Sequence, residues 1–216
     1  MAIKVDLHTH SEASPDGGIS LEEYRAILDQ GLLDVVAITD HDTIEFAQQA
    51  EQELGNLVIV GEEISSIEGD VIGLFLSKKV NPGLSLTDTI DEIHSQGGLV
   101  YVPHPFEKVR KGISEEDLEI CIDKIDLIET INGRAWIDNR STKAKKWAAK
   151  HNQLGVASSD AHHVRDVGKT FTVIERHPTV ENLLELVENG ELHFAPPSLT
   201  GITAPSINRW QKRHQK

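Results

Sequence analysis

Histidines and carboxylates fall in short clusters along this chain: His8-Thr9-His10, Asp40-His41-Asp42, Glu62-Glu63, His104, Glu129 and Asp160-Ala161-His162. Imidazole and carboxylate together suit a divalent ion such as Zn²⁺, Mn²⁺ or Fe²⁺, and bridging carboxylates let two or three ions sit close together. The His-X-His pair has a mechanical reading. Alternate residues of an extended strand point the same way, so two imidazoles can be offered to one ion. No serine or cysteine stands in a hydrolase motif, so the chemistry expected of such a cluster is hydrolysis by metal-activated water.

Each cluster follows a short apolar, β-branched run. The candidate strands are residues 3–7, 34–39, 57–61, 99–103, 126–130, 155–158 and 171–174, with amphipathic helical patterns between them. That alternation predicts parallel strands joined by crossover helices. In a parallel barrel all strand C-termini open on one face, where residues remote in sequence converge. The expectation is therefore an α/β fold with a closed or nearly closed barrel of seven strands and one cluster of ligands at its mouth. Residues 70–76 read as an extra strand, antiparallel and beside the barrel entrance. Ser20 followed by Glu23 makes a capping box, Ser85 and Ser114 read as similar caps, and Gly31, Gly55 and Gly97 stand just past helical patterns.

Composition narrows the function. The 216 residues are 38% hydrophobic and 26% charged, near the globular norm. A net charge of −14 repels nucleic acid and anionic lipid at long range, and 5% aromatics leave little for a long strand-binding groove. No apolar run approaches the roughly 20 residues that span a bilayer. The opening MAIKVDLHTH lacks a signal-peptide pattern, and the single Cys121 forms no intrachain disulfide, so a cytoplasmic protein is expected. Within SEEDLEICI, Cys121 reads as an ordinary buried thiol. The Pro196-Pro197 pair divides residues 1–197 from a basic tail, residues 198–216, that carries Arg209, Lys212, Arg213 and Lys216 and no acidic residue. The tail reads as a solvated terminus; the alternative is a docking or nucleic-acid arm with Trp210 as its apolar contact.

Six motifs carry a resemblance: Asp6-Leu7-His8-Thr9-His10-Ser11, Pro15-Asp16-Gly17, Thr39-Asp40-His41-Asp42, Gly61-Glu62-Glu63-Ile64-Ser65, Pro103-His104-Pro105 and Ser159-Asp160-Ala161-His162. In type and order, over residues 3–175, the chain resembles the polymerase and histidinol phosphatase (PHP) family of metal-dependent phosphoesterases. The resemblance implies a distorted (β/α)7 barrel of TIM-barrel-like type with a di- or trinuclear centre. It carries the ligands over onto His8, His10, Asp16, His41, Glu63, His104, Asp160 and His162, with Glu63 rather than Glu62 as the bridge. Trinuclear members have another His or Cys after strand five, whereas here only Cys121 lies between His104 and His151. Two tightly held ions and a weaker third are expected, with Glu129, Asn132 or Asp138 as substitutes.

A phosphate substrate calls for cations at the mouth. Arg134 is the first choice, since guanidinium grips phosphate through two hydrogen bonds, with Arg165 and Lys169 beside it. Lys108, Arg110 and Lys111 fit either an extension of that grip or a solvated loop. Asp42, Asp160 and His162 are the candidates to protonate the leaving oxygen, with metal-bound water a further one. His94, His151, His163, His177, His193 and His214 read as structural or solvated. The expected function is a phosphatase acting on a small phosphorylated substrate: a nucleotide, a nucleoside bisphosphate or a sugar phosphate. The alternatives are exonuclease-like release of nucleotides from oligonucleotides, a non-catalytic metal-dependent binding module, and a metal hydrolase of another bond.

Overall fold

The computed structural model describes residues 2–135 and 140–214. Its strands are β1 (Ile3–Thr9), β2 (Val35–Ile38), β3 (Val58–Ser65), β4 (Asp70–Leu74), β5 (Leu99–Val102), β6 (Leu127–Asn132), β7 (Gly155–Ser158), β8 (Phe171–Ile174) and β9 (Glu191–His193). Its helices are α1 (Leu21–Asp29), α2 (Glu45–Leu54), α3 (Leu86–Ser95), α4 (Glu115–Ile120), α5 (Arg140–His151), α6 (Leu183–Glu188) and α7 (Leu199–His214). Local chemistry sets the helix starts. The Ser20 hydroxyl accepts the Glu23 N–H while the Glu23 carboxylate accepts the Ser20 N–H at 2.9 Å, and Ser85 and Ser114 cap α3 and α4 in the same sense. None of the described helices is long and apolar enough to cross a membrane.

The strands form one nine-stranded sheet in the order β7-β6-β5-β4-β3-β2-β1-β8-β9, where seven strands were expected. β1, β2 and β3 are parallel neighbours, as are β5, β6 and β7. The sheet curls until its ends nearly meet: a parallel bridge joins Thr9 to Ala161, the Asp160 N–H donates to the His8 carbonyl at 2.9 Å, and the His10 N–H donates to the Ala161 carbonyl at 2.9 Å.

Two placements differ from expectation. β4 is antiparallel, but it stands in the barrel wall between β3 and β5 instead of beside the entrance. Only residues 66–69 join it to β3, and so short a connection makes a hairpin, never a parallel crossover. β8 was read as another parallel strand, yet it runs antiparallel to β1 and carries β9 on its far side. The segment between β7 and β8 holds a single 3₁₀ turn, Val164–Asp166, and no crossover helix, so the chain turns straight back. β9, three exposed residues without a β-branched one, gave no strand signal.

Alternation along the strands divides the core in two. Val36, Ile38, Val100, Val102 and Ile128 pack outward against Tyr24, Ile27, Ile90, Ile93 and Trp147 of the helices. Val35, Ala37, Ile72, Leu74, Tyr101 and Leu127 fill the interior with Leu183, Leu186 and Val187 of α6. Leu7 belongs to the interior cluster, and its neighbour His8 reaches interior Glu129. Strict alternation forbids both. The register shift between Asp6 and Thr9 resolves this, because a bulge re-aims the side chains that follow it.

The residues read as a solvated tail form α7, which lies against the body with Gly201, Ala204 and Pro205 buried. Its start is anchored by Asp166, whose carboxylate accepts the Ser198 N–H at 2.7 Å. The approach is close enough that a Cβ on Gly201 would stand 1.4 Å from Asp166 Oδ2.

Cys121 ends α4 at 4% exposure, its thiol donating to the Asp117 carbonyl. Burial pushes its pKa up to about 11, so thiolate is scarce at neutral pH. A disulfide reagent at pH 8 is expected to leave the native protein unlabelled and to titrate one thiol after denaturation; rapid labelling of the native state would contradict this placement.

Candidate metal centre

β1 delivers two imidazoles to the barrel mouth. His8 Nε2 and His10 Nε2 lie 3.0 Å apart, and both face Glu63 Oε2 from β3, at 3.5 and 3.2 Å. Both also face Asp160 Oδ1 from the loop after β7, at 3.6 and 3.5 Å. Nitrogen and oxygen ligands at about 2.0–2.1 Å from a tetrahedral ion stand roughly 3.3–3.4 Å from one another. The five separations, 3.0 to 3.6 Å, bracket that value; His8, His10 and Glu63 form one candidate ligand group, and Asp160 stands close to both rings.

A second group adjoins the first. Asp16 Oδ2 faces His41 Nε2 at 3.6 Å and His162 Nε2 at 3.4 Å, and His10 stands within ligand range of all three. Asp160 also groups with His8 and His104, and Glu63 with His41 and Asp70. Glu63 Oε1 meets His104 Nε2 at 3.0 Å while Oε2 meets His41 Nδ1 at 3.3 Å, the placement required of a carboxylate shared between ions. The loops that present these groups are tightly turned. Asp42, His104 and Asp160 all adopt positive φ, at 54°, 28° and 53°, a backbone costing of order 1–3 kcal/mol each at a non-glycine residue. Gly17 cannot carry a side chain at all: its Cβ would lie 2.1 Å from the Ser11 carbonyl.

Outer contacts fix which ring nitrogen faces inward. His8 Nδ1 lies 3.2 Å from Glu129 Oε1, and His162 Nδ1 lies 2.9 Å from the Asp160 carbonyl, so each ring donates outward and turns an Nε2 lone pair to the centre. His162 Nε2, His104 Nδ1 and Asp70 Oδ1 are buried with no hydrogen-bond partner. Burial would raise the Glu63 carboxyl, but His41, His8, His10 and His104 hold it well below the usual range; Arg134, His8 and Arg110 do the same for Asp160 against the same burial. Burial opposes charge on His41, yet Glu63 and Asp16 raise it to about 9, whereas burial and His10 bring His162 down to about 4. Anionic oxygens and an imidazole nitrogen without a hydrogen-bond partner among the described residues are donors suited to a divalent cation, which on binding would displace the protons that carboxylates hold on the other rings.

Every metal ligand expected from the sequence thus meets at one cleft. Glu62, the neighbour of Glu63, points elsewhere and accepts the Val80 N–H at 2.8 Å. Arg134 lines the cleft, its Nη1 3.4 Å from Asp160 Oδ1, and Asp42 lines it from the opposite loop while accepting the Ser65 N–H at 2.8 Å. Arg165 and Lys169 are not brought to it: Arg165 is exposed on the 3₁₀ turn, and Lys169 pairs with Asp166 at 3.0 Å. Of the proposed substitutes for a missing ligand, Glu129 is fully engaged by His8, Tyr101, the His104 N–H and Asn132, and Asn132 holds Glu129 and Arg110. Asp138 lies outside the described residues.

Sequence reasoning missed three participants. Asp70 was read only as a strand start, but the β3–β4 hairpin pairs it with Ser65 and carries it into ligand range of Glu63. Tyr101, which lay unremarked within a candidate strand, donates to Glu129 at 2.8 Å. Arg209, placed in the tail, reaches Asp16 from α7, and nothing local in the sequence signals that contact. Arg110, read as either grip or loop, donates to Asp160 Oδ2 and to Asn132 Oδ1 at the cleft wall.

For chelator-stripped protein, adding Mn²⁺ or Zn²⁺ at about 100 times its Kd is expected to raise Tm by roughly 5–10 °C. Glu129→Gln, which leaves the donor atoms in place but loosens the His8 ring, should weaken binding about 10–100-fold by calorimetry. No Tm rise with any divalent ion would remove the metal centre.

A model for a PHP-associated family matches residues 138–192. Two uncharacterised proteins of Methanocaldococcus jannaschii are similar in sequence. One is 35% identical over 150 residues, covering 63% of this chain and 88% of the relative, and the other is 30% identical over 174 residues, covering 78% and 69%. Among solved structures, a two-domain protein of Bacteroides vulgatus containing a predicted PHP-like metal-dependent phosphoesterase is similar at TM-score 0.70 and 20% identity, over 97% of this chain and 70% of that one. A lesion-specific endonuclease of Pyrococcus furiosus is similar at TM-score 0.62 and 15% identity, over 89% and 58%. With its ligand motifs drawn together at the mouth of a nearly closed α/β barrel, the chain belongs to the PHP family.

Proposed function

We propose that this protein is a metal-dependent phosphoesterase that hydrolyses small phosphorylated molecules. One observation carries the reading: on a chain of net charge −14, four cationic side chains, Arg110, Lys111, Arg134 and Arg209, border the cleft that holds the His/Asp/Glu cluster. A cluster that held only ions would have no use for that rim, whereas a phosphate monoester or diester brings negative charge that must be matched at the mouth.

Bound at this cluster, two or three ions of Zn, Mn or Fe would supply Lewis acidity and bring the pKa of water from about 16 to roughly 7. The chain's own groups do the rest. Arg134 and Arg110 flank Asp160 from different loops and present N–H groups to the phosphate oxygens. Water adds to phosphorus, the bond to the leaving oxygen breaks, and that oxygen takes a proton. Asp160 is tied to two guanidinium groups, and His162 Nδ1 lies 2.9 Å from the Asp160 carbonyl. Asp42, partly exposed at the mouth with its Oδ1 on the Ser65 N–H, is the group we assign to pass the proton.

Release of nucleotides from oligonucleotide ends is the second reading; the likeness to a lesion-specific endonuclease supports nucleic-acid phosphodiesters as a substrate class for this fold. Phosphate release should be measured on Mn²⁺-loaded protein with mononucleotides, nucleoside bisphosphates, sugar phosphates, short oligonucleotides and phenyl phosphate. Small esters turned over and silenced by chelator are the expected result; turnover of oligonucleotides alone would shift the reading to the nuclease, and no turnover of any would leave a binding module. Arg134→Ala should raise KM about 10–100-fold, the value of a charge-assisted hydrogen-bond pair, while Asp42→Asn should lower kcat and leave KM in place.

A further inference from the structure

The C-terminal helix α7 reaches the loop that carries Asp16 through side chains on two successive turns. Asn208 Nδ2 donates to the Asp16 carbonyl at 2.8 Å and to the His162 carbonyl at 3.3 Å, so one amide ties together two loops about 150 residues apart in sequence. Lys212 Nζ donates to the Glu12, Ser14 and Gly17 carbonyls at 2.7, 2.5 and 2.8 Å, using all three ammonium protons on a single turn of backbone. Between them Arg209 Nη2 donates to Asp16 Oδ2 at 2.5 Å. Trp210 and His214 stack on each other on the exposed side and take no part.

The Asn208 and Lys212 contacts are aimed at backbone, and only Arg209 reaches a side chain. The segment from Ser11 to Gly18 forms neither helix nor strand beyond one isolated bridge, Ser11 to Ile19, and its own internal ties are the Ser14 hydroxyl on Asp16 Oδ1 and the Ala13 N–H on the Ser11 hydroxyl, both at 3.0 Å, and the Ser14 N–H on the Ser11 carbonyl. Such a loop has little of its own to hold a carboxylate within the few tenths of an ångström that metal ligation demands. Gly18 fits the docking: a Cβ there would stand 2.9 Å from Asn208 Nδ2.

We propose that α7 is a clamp for the metal group formed by His10, Asp16, His41 and His162, with Asn208 and Lys212 as its positioning residues. Neither side chain is within that donor group. Asn208 sets the distance between the Asp16 and His162 backbones, and Lys212 holds the turn from which Asp16 projects. The proposal rests on the metal-centre reading of the cluster, and its test reads ion binding and loop protection instead of turnover, so a failure of the phosphoesterase reading leaves it standing.

The experiment compares Asn208→Ala, Lys212→Met and Lys212→Arg with the unaltered chain. Mn²⁺ affinity would be followed by calorimetry, with circular dichroism in the metal-free state as the control on folding. Asn208→Ala and Lys212→Met should weaken Mn²⁺ binding at one class of site about 10–100-fold with the metal-free Tm little changed, and Lys212→Arg should recover most of the loss. Independently of any ion, amide hydrogen exchange over residues 11–18 of the metal-free protein should quicken about tenfold or more in the first two variants. Wild-type Mn²⁺ affinity and stoichiometry in both variants would overturn the clamp. Were the unaltered chain to bind no Mn²⁺, unchanged exchange over residues 11–18 would overturn it alone.

Discussion

Four histidine rings converge on the Glu63 carboxylate: His104 on one oxygen, and His8, His10 and His41 on the other, all within 3.0 to 3.5 Å. A carboxylate buried to this degree is costly unless opposite charge surrounds it. Here the compensation comes from rings delivered by three different segments of the barrel rim, two from the end of β1 and one each from the loops after β2 and β5, so the position of each is tied to one charged atom pair. Asp160 plays the same part beside it, ringed by His8, His10, Arg110 and Arg134. The architecture follows from this. A sheet curled to bring strand ends to one mouth is the means by which residues from position 8 to position 162 share a volume of a few ångströms.

The surrounding shell shows how that arrangement stays polar without becoming disordered. Glu129 spends its oxygens on His8, Tyr101, the His104 N–H and Asn132, acting as a hub that orients one ligand ring and one ligand backbone together. Asp40 is committed to the Ser11 N–H and hydroxyl. Asp6, raised by burial to about 7 against the pull of its Ser159 and His8 contacts, joins the β1 and β7 loop backbones. Each acid is near the centre and none of these three is among its donor groups; their work is to hold backbone.

Much of the site was legible because the information was local. A histidine or carboxylate directly after an apolar run marks a strand exit, and parallel strand exits share a face, so the clusters at residues 8–10, 40–42, 62–63, 104 and 160–162 could be read together from spacing, while the choice of ligands within them, Glu63 over Glu62 included, was what the family resemblance implied. What escaped depended on pairings that no local pattern states. Asp70 enters through hairpin register, Arg209 through the docking of a helix nearly two hundred residues downstream, and β8 through the lack of a helix after β7. Arg165 and Lys169 went the other way: closeness in sequence to Asp160-Ala161-His162 suggested closeness in space, but the 3₁₀ turn at Val164–Asp166 carries both off the cleft.

The barrel seam lies between β1 and the loop after β7, where Thr9 bridges Ala161. Two pairs of candidate ligands, His8 with His10 and Asp160 with His162, stand on opposite lips of that seam. During synthesis the first pair emerges near the beginning and the second only after three quarters of the chain has been made. Local hairpins and helices can form on the growing chain, but no nascent fragment ending before His162 contains the paired donors. The full donor set is therefore assembled only once the chain has passed β7 and the seam has closed, late in synthesis.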